Sequence, residues 1–127
     1  MSAEYEIDAE HRIMRIRCWG DVTFAELLGG RQRLMNDSEF KSEFSLLFDC
    51  LEVPRSILTV AQVREMASYL PLSRGSRVAI VIAHTASFGL TRMFQILREI
   101  NRGKEQVQIF RNRDQAEAWL RPQEGSK

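Results

Sequence analysis

The chain is poor in the residues that usually announce a specialised protein. It has only two cysteines, two histidines and three prolines in 127 residues. Cys18 and Cys50 stand in separate apolar stretches with no CxxC and no Cys/His ligand spacing, which excludes a disulfide framework and a zinc site and reads both as small core hydrophobes. No apolar run is longer than Val78 to Ala83, too short to span a bilayer, and Met1 to Glu6 lacks the basic and apolar regions of a signal peptide. The expectation is therefore a reduced, cytoplasmic setting. An excess of one charge is missing too. Lys and Arg number 18 against 17 Asp and Glu, for a net charge of +1, which argues against a dedicated nucleic-acid binder. Charge drifts from acidic over residues 1–26 to basic over residues 85–127 without forming a run. Most of the basic residues are arginines, but acids are interspersed between them from Arg12 to Arg121.

The catalytic motifs are missing as well: there is no GxGxxG, P-loop, HExxH or GxSxG. What is present is a hydrophobic content of 44%, enough at this length to bury roughly two thirds of the unfolded surface without a staple.

Hydrophobic periodicity divides the chain clearly. Tyr5 and Ile7 alternate with Glu4, Glu6 and Asp8, and Met14, Ile16 and Cys18 alternate with Arg15 and Arg17. This is a period-2 hairpin with one charged face, whose acids and arginines are placed to pair across the ladder for about 0.2–1 kcal/mol each. Thr23 and Glu26 make a capping box for a helix from Phe24 to Asn36, within which Gly29 and Gly30 suggest a close approach to the sheet. Ser45 to Cys50 is a short apolar strand covered on both faces. Thr59 and Gln62 form a second capping box for a helix ended by Pro71. Arg77 to Ala83, the most strand-like segment, is expected to be central. Ser87 caps a third helix reaching Glu99 or Ile100, Val107 to Phe110 is the last strand, and Asn112 with Gln115 caps a terminal helix carrying Ala116, Trp119 and Leu120. The prediction is a single α/β domain over residues 1–121, of order ββαβαβαβα, with a mostly parallel mixed sheet, flanking helices and a flexible tail over residues 122–127.

With that order in view, the chain resembles the SpoIIAA-like family of STAS-type domains. The resemblance covers about residues 4 to 121. It is carried by Tyr5-Glu6-Ile7-Asp8 with His11-Arg12, by Leu46-Leu47-Phe48-Asp49, by Ala79-Ile80-Val81 with Phe88-Gly89-Leu90-Thr91-Arg92-Met93-Phe94, and by Val107 to Arg111 with Ala116 to Leu120. The family is related in fold to bacterial anti-sigma factor antagonists and distantly to CRAL-TRIO lipid-transfer domains. The antagonist branch implies a phosphorylated hydroxyl at the start of the helix after the third strand, which here falls near Thr59. A phosphate there would meet free backbone N–H groups and the helix dipole. Ile57, Leu58 and Val60 depart from the acidic, serine and glycine neighbours of that pattern, and a plain N-cap worth about 1 kcal/mol is the more economical reading of Thr59.

Three functional expectations follow. The first is a non-catalytic regulatory or interaction module with a protein partner and no cofactor or metal. In it the broad apolar third helix, Phe88 and Ile96 above all, offers a face for homodimerisation. The second is a protein that binds a small apolar or anionic ligand between helices and sheet. Thr59, His84, Thr85 and Ser87 would stand at its mouth and Arg92 would pair with a ligand anion or cover apolar surface with its stem. The third is a Cys50/His84 nucleophile and base near the carboxyl ends of strands. Each of these polar residues also has an ordinary role as cap, turn or loop residue.

Overall fold

The computed structural model describes residues 3–53, 59, 61, 62, 65, 72, 75–83, 95 and 106–121. These build an α/β arrangement of one five-stranded mixed sheet and two helices. In chain order the elements are β1 (Ala3–Asp8), β2 (Ile13–Trp19), α1 (Phe24–Met35), β3 (Ser45–Glu52), β4 (Arg77–Ile82), β5 (Gln106–Phe110) and α2 (Arg113–Leu120). Residues 61, 62, 65 and 95 are helical; the rest of the two segments expected to form helices there, and residues 122–127, lie outside the described residues. No described helix is long and apolar enough to cross a membrane.

The strands lie in sequential order, β1-β2-β3-β4-β5. β1 runs antiparallel to β2, and every later neighbour is parallel. The hairpin turn is fixed by Asp8, whose Oδ1 accepts the His11 N–H at 3.1 Å, and by Arg12, which takes the left-handed conformation at φ 59°. That conformation crowds Cβ against the backbone and is costly for a residue other than glycine. Here Arg12 is held by its carbonyl, which accepts the Ser45 N–H at 3.0 Å, and by its guanidinium, 5.4 Å above the Phe44 ring. Gly20 ends β2 at φ 64°, where a glycine carries no such penalty.

Alternation along the strands sends side chains to two cores. One contains Met14, Ile16, Cys18, Leu46, Val78, Ile80 and Ile82, covered by Leu27 and Leu34 of α1. The other contains Ile13, Leu47, Ala79 and Val81, covered by Ala116 and Leu120 of α2. At its rim Phe110 and Trp119 meet with ring centres 5.6 Å apart, and the Arg77 guanidinium lies 5.1 Å from the Trp119 ring.

Helix α1 begins with the expected reciprocal box: the Glu26 N–H donates to Thr23 Oγ1 at 3.1 Å and Glu26 Oε1 accepts the Thr23 N–H at 2.8 Å. It ends at Met35, with Asn36 as the C-cap.

Three expectations are corrected. β4 is interior, but the middle strand is β3, because the sequential order leaves only β5 beyond β4. Its unbroken apolar run reflects cover on both faces, which is a different property from position in the sheet. β3 continues past Cys50 to Glu52, with a register shift against β2 between Arg17 and Trp19. Gly29 and Gly30 do not mark close packing on the sheet: among the described residues, a Cβ at either would come within 4 Å only of the Arg33 guanidinium.

Candidate functional site

The charged face of the hairpin meets the terminal helix, and a groove of about 720 Å³ lies between them, lined by Glu6, Arg15, Arg113, Asp114, Glu117, Ala118 and Arg121. Pleating puts Arg15 on the α2 side of β2, since its neighbours Met14 and Ile16 point into the α1 core. Helical spacing puts Glu117 beside the buried Ala116, at the edge where α2 leaves the sheet.

Arg15 is the hub. Its Nε and Nη2 donate to the two carboxylate oxygens of Glu117 at 2.7 and 3.0 Å, a two-pronged fork across 102 residues of sequence. Its Nη1 donates to Glu6 at 3.0 Å and to Asp8 at 2.9 Å. The side chains of Arg15 and Glu117 are only 15% and 16% exposed, so the pair is largely withdrawn from water while Glu6 stays at the solvent edge. The hydrogen bonds from Arg15 hold the Glu117 carboxyl below its ordinary pKa against the opposing effect of burial.

Asp8 joins the hub to the turn. Its Oδ2 is 2.8 Å from His11 Nδ1, and this bond, with the His11 backbone N–H and Arg15, holds its carboxyl far below the usual carboxylate range. A second cluster flanks the first: Arg17 donates to Glu4 at 3.0 Å and to Glu52 at 2.8 Å and lies 5.1 Å from the Trp19 ring. Across α2, Arg113 Nε approaches the buried carboxylate of Asp49 at 3.4 Å. The Glu4–Arg17 and Glu6–Arg15 pairs are those expected from the hairpin pattern.

Two chemical capacities can be assessed. Asp8, Glu10 and His11 bring one ligand atom each within 4.8 Å of one another, the only such group among the described residues. A cation there would have to break the Asp8–His11 bond and sit beside the Arg15 guanidinium, so the arrangement opposes it. The Asp8–His11 pair also resembles the carboxylate-oriented imidazole of a general base. Both thiols of the chain, however, lie on the opposite face of the sheet from it.

Of the residues singled out from sequence, Thr59 is exposed and caps its helix as expected. Its hydroxyl accepts the Gln62 N–H at 3.2 Å and its own N–H donates to Gln62 Oε1 at 2.9 Å. His84, Thr85, Ser87, Phe88, Arg92 and Ile96 fall outside the described residues. Cys50 is half-buried, and a hydrogen bond with Cys18 together with burial pushes its thiol pKa well up, the reverse of an activated nucleophile. The Arg15–Glu117 fork was not foreseen, because nothing in either local pattern links β2 to α2. The Asp8–His11 contact had a readable signal, an acid and a histidine three apart in a tight turn.

No protein-family model matches the chain, and neither a curated protein nor a solved structure is significantly similar to it.

Proposed function

We propose that this chain is a cytoplasmic, non-catalytic STAS-like module that regulates by binding a protein partner, with the groove beside α2 as part of the contact surface. The observation that carries this reading is the state of the groove's charges. Its most buried ions, Arg15 and Glu117, neutralise each other, while Glu6, Arg113, Asp114, Ala118 and Arg121 form an exposed rim of alternating sign. A neutralised floor offers no free charge to bind a small anion or to shift a proton. A polar rim of mixed sign suits the complementary potential of a protein surface. The STAS-like part of the proposal rests on the resemblance read from the sequence over about residues 4 to 121.

The test is photo-cross-linking in the source cells from single positions on the folded protein. A photoreactive residue at the exposed Ala118 is expected to capture one polypeptide, and the same residue at Ala25, exposed on α1, is expected to capture none. Equal capture at both positions, or none at either, would overturn the groove as the contact surface. Recovery of a lipid-sized molecule with the protein would move the assignment to the ligand-binding alternative, with His84, Thr85, Ser87 and Arg92 as its first targets. Dimers abolished by changes at Phe88 and Ile96 would make the partner a second copy of this chain.

A further inference from the structure

The chain's two cysteines, 32 positions apart, meet in the fold. Cys18 of β2 and Cys50 of β3 each follow directly on the paired residues Arg17 and Asp49, at the point where the two parallel strands begin to slip in register. Both side chains leave the same face of the sheet and belong to the same core, Cys18 buried at 1% exposure and Cys50 packed at its margin. Neighbouring strands are about 4.8 Å apart, inside the Cα separation of about 4.4–6.8 Å that a disulfide bridges. Both thiols are free.

We propose that Cys18 and Cys50 form a modification site, a cross-strand dithiol that closes to an intrachain disulfide on reaction with a low-molecular-weight disulfide. Cys50, the more accessible of the two, loses its proton at alkaline pH, as its raised pKa requires, and its thiolate attacks one sulfur of the reagent. A mixed disulfide forms and one reagent thiolate leaves. Cys18 then loses its proton and attacks Cys50 Sγ, expelling the second reagent thiolate. Two protein thiols are oxidised to one disulfide, and one reagent disulfide is reduced to two thiols, which take up the two protons. Proximity favours the second step, because Cys18 lies on the strand next to Cys50 and attacks within the same chain. Closure would fix β2 to β3 at the register shift, beside Trp19 and Glu52.

The experiment treats the reduced, folded, full-length protein with oxidised glutathione at alkaline pH, quenches in acid, alkylates residual thiols in denaturant and measures the mass. The expected product has lost two hydrogens, carries neither glutathione nor alkyl groups, and yields a linked peptide pair containing Cys18 and Cys50. In Cys18→Ala the expected product is a mixed glutathione disulfide at Cys50. Wild-type protein that keeps glutathione on Cys50 with Cys18 still free would show that the two sulfurs cannot close and would overturn the proposal. So would oxidation that occurs only after denaturant is added. The wild-type mass decides the question even where Cys18→Ala fails to fold.

Discussion

Replacing Arg15 with methionine removes the cation on which Glu117, Asp8 and Glu6 converge, leaving three carboxylates of which two are largely buried. Breaking a buried ion pair from one side costs about 3–5 kcal/mol. The residual exposure of Glu117 and Asp8 places Arg15→Met near the lower end, at about 3 kcal/mol. Glu117→Leu is milder, at about 1–2 kcal/mol, because Arg15 keeps Asp8 and Glu6 as acceptors and loses two of its four hydrogen bonds. In the double variant neither member of the fork is stranded, so its cost falls short of the sum by about 1.5 kcal/mol. Urea denaturation of the four proteins measures the cycle. In thermal melts Arg15→Met is expected to lower Tm by roughly 12 °C, at about 4 °C per kcal/mol for a chain of this size. Strictly additive losses, or an Arg15→Met protein as stable as the wild type, would refute the hub.

Acid acts on the same groups. Asp8 and Glu117 both have folded-state pKa values below their unfolded ones, so their stabilisation is present above about pH 4–5 and is lost as pH falls through the depressed values. Urea midpoints are expected to be flat from about pH 7 to 5 and to fall below about pH 4; in Arg15→Met the fall is shallower, because Glu117 left without its cation is relieved by protonation instead of destabilised by it, and an unchanged profile there would contradict the assignment. Gly29→Ala is expected to stabilise by about 0.5–1 kcal/mol, since the helix loses a flexible residue and, among the described residues, the new methyl meets only a movable arginine tip; a lowered urea midpoint would show that the position is crowded. Leu47→Ala, fully buried in the middle strand against α2, is expected to cost about 3–4 kcal/mol by the same measurement, and a loss below about 1 kcal/mol would mean that the α2 core is loosely packed.

Local physics made much of the architecture readable. The Thr23–Glu26 and Thr59–Gln62 boxes each satisfy orphan helix donors within one turn, and the alternation of Glu4, Glu6, Arg15 and Arg17 needs only the pleat and one tight turn to become cross-strand ion pairs. Strand order was not readable, since a run such as Val78–Ile82 records that both its faces are covered and says nothing of which strand lies beyond. The meeting of Cys18 with Cys50 depends on the register of β2 against β3, and the grip of Arg15 on Glu117 depends on where α2 lands. Both are outcomes of packing between segments that carry no mark of each other.

The most direct test of the regulatory-module reading is native mass spectrometry of protein purified from its own cells, compared with its denatured mass. The expected result is a complex in which one chain carries one copy of a second polypeptide and which separates on denaturation. A covalent gain of about 80 Da would add phosphorylation, with Thr59 first to be mapped. A chain that carries a lipid or metabolite and no polypeptide would overturn the regulatory-module reading.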